Sequence, residues 1–332
     1  MKTPRSLLPE LPTLTMRLTE ALQGKSSLSA PLTVLDRKLP PMMSTFPNEA
    51  VTCRFADGRK RRLFVKYGAG VSHDSFGHRG GISYEGKVYD RILRDYPGFR
   101  PKYLGTHTDA RTGESWLVLE YLARCVRVMD IAVDEASCEP LAMVQSARWI
   151  ARFHAAQEAF AADRASSFLK QYDEKYYRGW SRRTARLTRP LHKVHPWLPE
   201  LCKKEAAWIP LLLNPSRTVI HGEYYGKTLM FRKNTVFPVD WESTAVAAGE
   251  IDLAALTEGV RWPARVVERC VQEYQQARWP QGAPSDFCKT LDAARLYLHF
   301  RWLGEREDWT FQQKALWRYD NLRAVGERLG LI

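Results

Sequence analysis

The sequence predicts an α+β chain with a small antiparallel sheet in its N-terminal part and a larger, mostly helical remainder. Three observations carry this. Residues 32–39, 49–55 and 62–67 are short runs of strand composition, and Asp57-Gly58 supplies a hairpin turn between the second and third. From residue 141 onward, apolar residues recur at helical spacing over long stretches. Two short apolar runs, 218–220 and 236–239, lead into polar blocks, His221-Gly222-Glu223-Tyr224-Tyr225-Gly226-Lys227-Thr228 and Asp240-Trp241-Glu242. Polar loops held at strand ends are usual places for chemistry.

At 332 residues the chain can bury a sizeable core. Its six cysteines, Cys53, Cys125, Cys138, Cys202, Cys270 and Cys288, form no Cys-x-x-Cys pair, so no zinc or disulfide framework is expected and a reducing cytoplasm suits them. Pro4 and Pro9 interrupt the N-terminus before an apolar core develops, which argues against a signal peptide. The best apolar run, 208–213, falls far short of the roughly 20 residues that span a bilayer, so no membrane span is expected. A formal charge of +13 and a pI near 9.5 favour neutral or anionic ligands over polycations. No nucleic-acid motif accompanies that charge, and no stable nucleic-acid partner is expected.

Taken in order, Leu14, Leu18 and Leu22 mark an amphipathic helix before the three strands. The third strand sets Lys66 in the apolar run Leu63-Phe64-Val65-Lys66-Tyr67; alone, such a lysine reads equally as an edge residue reaching solvent. A Gly-rich loop, 68–81, follows, and its end from Gly77 to Gly81 with Arg79 offers N–H groups to an anion or is a plain linker. His73 and His78 lie in that loop without an evident third metal ligand. Glu85, Val88, Tyr89, Ile92 and Leu93 then share one helix face, and 115–122 reads as a buried strand. A long helix is expected over 141–160. Residues 170–204 crowd Arg and Lys among Tyr172, Tyr176, Tyr177, Trp180 and Trp197, which suits an anionic or sugar-like ligand or, equally, a solvated helix with core aromatics. Helices over 252–259, 266–276, 291–303 and 312–329 complete the chain, the third with Leu291, Ala294, Leu298 and Trp302 on its core face.

The polar blocks, with Gly249-Glu250-Ile251-Asp252-Leu253-Ala254 after them, resemble the catalytic and metal loops of the aminoglycoside phosphotransferase and choline kinase family. The family pattern is His-Gly-Asp, four residues, Asn, then Ile-Asp-Trp/Phe-Glu and a later Asp-Leu-Ala. Here Glu223 stands at the catalytic Asp and Thr228 at the metal-binding Asn. The resemblance implies a bilobal protein-kinase-like fold, with 1–121 as nucleotide-binding small lobe and 122–332 as catalytic and substrate-binding large lobe. It implies that Lys66, paired with Glu85, holds nucleotide phosphates and that Glu120 and Leu122 meet the nucleobase. Asp240 and Thr228 are then the metal ligands, and Glu223 and Asp240 the catalytic pair. His221 and Asp252 brace the loop, and His154, in Ile150-Ala151-Arg152-Phe153-His154, is structural. The hairpin 40–46 lacks the glycines that cover phosphates in protein kinases.

These readings make the chain a kinase that uses ATP or GTP with Mg²⁺ and phosphorylates a hydroxyl of a small neutral or anionic molecule. Glu remains a competent base, although it carries its carboxylate one methylene further out. The alternative is a nucleotide-binding pseudokinase with a regulatory or scaffolding role, since both Glu223 and Thr228 depart from the pattern.

Overall fold

The computed structural model describes residues 8–23, 32–40, 46–68, 75–95, 100–131, 141–259 and 262–332. His73, Cys138 and most of the 40–46 hairpin lie outside them. The chain folds as two compact units: Met1–Cys125 with Phe237–Ser243, and Val126–Val236 with Thr244–Ile332. The first holds a five-stranded antiparallel sheet and the second is mostly helical, as the sequence predicts.

In the first unit α1 (Leu11–Gln23) precedes β1 (Thr33–Lys38), β2 (Asn48–Arg54) and β3 (Lys60–Tyr67). After α2 (Gly81–Arg91) come β4 (Tyr103–Thr108) and β5 (Ser115–Glu120), giving the order β1-β2-β3-β5-β4 with every neighbour antiparallel. Side chains alternate along a strand. Val51, Cys53, Leu63, Val65, Tyr67, Trp116 and Val118 therefore share one face, where Leu14 and Leu18 of α1 complete the core. Lys66, between Val65 and Tyr67, is thereby turned to the opposite face.

Strand β4, Tyr-Leu-Gly-Thr-His-Thr, was not foreseen, because its Gly105 and polar residues do not have strand composition. That glycine is required by close approach: a Cβ there would lie 2.0 Å from the Ala21 carbonyl oxygen of α1.

The second unit contains β6 (Val126–Arg127), α3 (Leu141–Ala162), β7 (Lys170–Gln171), α4 (Glu174–Leu187), α5 (Trp197–Lys203), α6 (Glu205–Trp208) and α7 (Pro210–Leu213). Then come β8 (Arg217–Ile220), β9 (Leu229–Arg232) and β10 (Thr235–Pro238), whose end leads the chain back into the first unit. Strand β11 (Ala245–Ala248) and helices α8 (Glu250–Thr257), α9 (Ala264–Arg278), α10 (Phe287–Glu305), α11 (Glu307–Thr310) and α12 (Leu316–Arg328) finish it. The small sheets β10-β9-β6 and β7-β11-β8 frame the loop that begins at His221. In the basic segment, Tyr172, Tyr177 and Trp180 are fully buried, and Tyr172 stacks on Tyr176 at 3.9 Å between centroids. Lys175, Arg182, Arg186, Arg189 and Lys193 are exposed. The rings are core, and the charges form a solvated face. No helix among the described residues is long and apolar enough to cross a membrane.

The Gly105 contact gives the first prediction. Gly105→Ala must push α1 off β4 and should cost about 1–3 kcal/mol, the usual range for overpacking, read as a lower urea midpoint with an unchanged slope.

Candidate functional site

The first unit assembles one set of groups around Lys66. Its ammonium is buried and donates to Glu85 Oε2 at 2.8 Å and to Asp240 Oδ1 at 2.5 Å. Sheet alternation aims Lys66 at α2, and Glu85 in the second turn of α2 meets it. The other Glu85 oxygen accepts the Trp241 N–H at 3.1 Å, and the Gly80 N–H donates to the Glu242 carbonyl at 2.8 Å. The segment that carries Asp240 is thus pinned to both the helix and the loop before it. Asp240 itself sits at φ 69°, a left-handed conformation uncommon outside glycine though tolerated by Asp. Of the donors expected for an anion at Gly77 to Gly81, Gly80 is therefore engaged within the protein, and the Arg79 Nε faces Glu242 at 3.6 Å.

Electrostatically this set is short of positive charge. Burial pulls the Lys66 ammonium down, but Asp240, Glu85 and Glu242 outweigh it and hold it well above its ordinary value. Burial raises Glu85 against the opposing pull of Lys66, with Asp240 pushing it further up. Glu242 is pushed up to about 8, first by burial and then by Asp240 and Glu85. Its Oε2 is buried with no hydrogen-bond partner among the described residues. That oxygen and the partly buried Asp240 are hard oxygen donors, and they fit a divalent cation of the Mg²⁺ or Ca²⁺ class, which would displace the proton that burial favours on Glu242.

Glu120 and Leu122 lie at the far end of β5 in the same unit. Glu120 is exposed, with its N–H on the Lys102 carbonyl at 2.9 Å, and Leu122 is half-buried just beyond.

The second unit builds the 221–228 loop from buried hydrogen bonds. The Asp252 carboxylate, at the start of α8, accepts the N–H of His221 at 2.6 Å and of Gly222 at 2.9 Å. It also faces His154 Nε2 at 3.1 Å, while Tyr274 OH lies 2.8 Å from His154 Nδ1 and receives a bond from Arg278 Nη1 at 2.6 Å. One assignment satisfies the chain: Arg278 donates to Tyr274, Tyr274 to Nδ1, and Nε2–H to Asp252. Burial pushes the His154 imidazole below its ordinary value, against Asp252, which favours this neutral tautomer.

Within the loop, Glu223 is buried, and its N–H donates to His221 Nδ1 at 3.3 Å. The Thr228 hydroxyl points back to the carbonyl oxygens of Glu223 at 2.7 Å and Tyr225 at 2.9 Å. Tyr225 OH accepts from Arg301 Nη2 at 2.7 Å and from Trp302 Nε1 at 3.0 Å. Arg301 was missed in the sequence although a signal was there. It follows Leu291, Ala294 and Leu298 at the next step of an apolar helix stripe, so it is a charge in a core position.

No protein-family model and no curated protein matches the sequence. Solved structures do. LicA, a choline kinase of Streptococcus pneumoniae, in complex with AMP superposes with a TM-score of 0.58 at 14% identity, covering 96% of this chain and 99% of that one. An aminoglycoside phosphotransferase from Alicyclobacillus acidocaldarius gives 0.57 at 14% identity, covering 98% and 95%. An amicoumacin kinase in complex with AMP-PNP and Ca²⁺ gives 0.54 at 10% identity, covering 88% and 89%. The fold is that of these kinases.

Two predictions test the bracing of the loop. Asp252→Asn keeps the shape but removes the charge that two N–H groups share, and should lower stability by about 3 kcal/mol in denaturant titration. A neutral buried His154 contributes stability that is full above its unfolded value near 6.5 and is lost as pH falls below it, because only the unfolded chain then takes up the proton readily. The stability gap between wild type and His154→Gln should therefore narrow from pH 7.5 to pH 5.5, measured by urea midpoints at each pH.

Proposed function

We propose that this chain is a phosphotransferase that moves the γ-phosphoryl group of ATP or GTP to a hydroxyl of a small neutral or anionic molecule, of sugar or metabolite type. The observation that carries this reading is the Lys66 ammonium held between Glu85 and Asp240 within one unit of a kinase fold. In this reading Lys66 neutralises phosphate oxygens and Glu85 fixes its aim. Asp240 and Glu242 are the carboxylates that would hold a divalent cation, Mg²⁺ by preference. When bound, such a cation neutralises charge on the phosphates. Backbone groups at Glu120 and Leu122 meet the nucleobase.

Glu223 orients the acceptor hydroxyl and takes its proton as the oxygen bonds to phosphorus. The bond from phosphorus to the nucleoside diphosphate breaks, and its electron pair leaves with the diphosphate. Thr228, the second metal-ligand candidate, gives its hydroxyl proton to the Glu223 and Tyr225 carbonyls and keeps its oxygen lone pairs for ligation. The AMP complex of LicA and the AMP-PNP and Ca²⁺ complex of the amicoumacin kinase support nucleotide and divalent-metal use. The +13 charge supports an acceptor that is not a polycation. Cys53, Cys125, Cys202, Cys270 and Cys288 carry no disulfide, in keeping with a reducing cytoplasm. A second reading, a nucleotide-binding pseudokinase with a regulatory or scaffolding role, draws on the departures at Glu223 and Thr228.

The test is transfer of label from γ-labelled ATP or GTP, with Mg²⁺, into a pooled small-molecule extract. Wild type should label a small molecule, and Asp240→Ala should do so at least about 100-fold more slowly. Nucleotide binding without transfer by wild type would select the pseudokinase.

A further inference from the structure

In the second unit, the last turn of α10 places Arg301 between two carboxylates. The side chain is 0% exposed, and its Nη1 lies 3.6 Å from Glu223 Oε1 and 3.8 Å from Glu305 Oε2. Neither approach is a hydrogen bond, and Nε and Nη1 have no hydrogen-bond partner among the described residues. The guanidinium bonds through Nη2 to Tyr225 OH, which ties it to the same loop that carries Glu223. Trp302 Nε1 donates to the same phenol oxygen, and the Trp302 ring lies 5.0 Å from the Arg301 guanidinium carbon.

A buried arginine stays charged and normally fills its five donors. This one is fixed by an uncharged anchor, while its charge is directed at Glu223 from just beyond bonding distance. The arrangement balances and orients the carboxylate without Arg301 taking up one of its lone pairs. A carboxylate that receives an acceptor hydroxyl must keep a lone pair open for it, and Arg301 takes none.

We infer that Arg301 is a positioning residue for Glu223: a loop-anchored cation that holds the carboxylate in place for the acceptor hydroxyl. The inference rests on the phosphotransferase reading and adds a residue to it. Glu305 completes the set by steadying Arg301 from the next turn of the helix. The Glu223 side chain has one more rotatable bond than an aspartate, so an external hold on it replaces the stiffness that the shorter residue supplies by itself.

The experiment measures release of labelled phosphate from γ-labelled ATP and from GTP with Mg²⁺, water serving as acceptor, in single turnover. The variants are Arg301→Gln, Arg301→Lys and Tyr225→Phe, each in wild type and in Glu223→Gln. Arg301→Gln should lower the rate about 100-fold, as expected for a misplaced reacting group, and leave the nucleotide KM within about twofold. Arg301→Lys, which keeps the charge, should recover to within about tenfold of wild type. In Glu223→Gln none of these changes should move the rate by more than about twofold, because residues that act through one another are not additive.

Equal falls in the two backgrounds, or an unchanged rate in Arg301→Gln, would overturn the inference while leaving the phosphotransferase reading intact. If circular dichroism shows Arg301→Gln unfolded, Tyr225→Phe decides. It removes only the anchoring oxygen, and an equal loss with and without Glu223 would again overturn the inference. Where wild type releases no phosphate to water, the same variants are read by label transfer into the small-molecule extract, and a wild type that labels neither overturns the phosphotransferase reading, and this inference with it.

Discussion

The first unit depends on a buried ammonium that has to be paid for by carboxylates far away in sequence. A lysine withdrawn from water is tolerated only when counter-charges surround it. Lys66 draws one of them, Glu85, from 19 residues further on and another, Asp240, from 174 residues further on. The second distance explains why residues 237–243, placed between two parts of the helical unit in sequence, pack with the sheet unit. Hydrogen bonds from Trp241 N–H to Glu85 and from Gly80 N–H to Glu242 secure the same segment at two further points. One requirement, neutralising Lys66, therefore shapes both the fold of the unit and the cluster of carboxylates within it.

The second unit solves a different problem with different means. Its 221–228 loop carries a buried glutamate, and the bracing comes from directional hydrogen bonds. Asp252 collects two loop N–H groups and His154, and His154 is aligned in turn by Tyr274 and Arg278. Arg278 is itself held by Glu158 at 3.0 Å and Glu250 at 3.3 Å. Each member of the chain has its donor and acceptor roles fixed by the next, which is how a buried polar network rigidifies its surroundings. Charge enters this network at its ends, on Asp252 and on Arg278 with its partners Glu158 and Glu250. In the first unit it sits at the centre.

The sequence makes legible those features that depend on local pattern. The apolar run 63–67 marks Lys66 as its one polar residue, and helical spacing in 84–93 puts Glu85 on a shared helix face, but only the resemblance names the two as partners. Strand β4 is illegible because Gly105 answers to a helix about eighty residues earlier in the chain. The aromatic residues of 170–204 are ambiguous for a related reason: the same spacing serves a ligand face and a core, and only packing against α10 decides. Tyr176 OH meeting Tyr297 OH at 2.8 Å is such a contact. Arg301 is half legible. Its position in an apolar stripe marks it as unusual, but its partners lie 76 residues away in the case of Tyr225, and no local rule supplies them.

The two departures in the 221–228 loop are best understood together. Thr228 is too short to carry an amide outward as Asn would, and its hydroxyl closes instead on the carbonyls of Glu223 and Tyr225. That closure fixes the backbone from which the Glu223 side chain leaves. With the backbone fixed at one end and the Arg301 guanidinium 3.6 Å from the carboxylate at the other, the extra methylene of Glu is confined between two constraints. A glutamate alone would bring an added reach on the order of 1.5 Å and an added torsion, a displacement that can cost about a hundredfold in rate. A threonine alone would close a loop on a shorter acid. Together they turn a flexible substitution into a held one, and Tyr225, which accepts from Arg301 and also lends its carbonyl to Thr228, is the residue through which the two are joined.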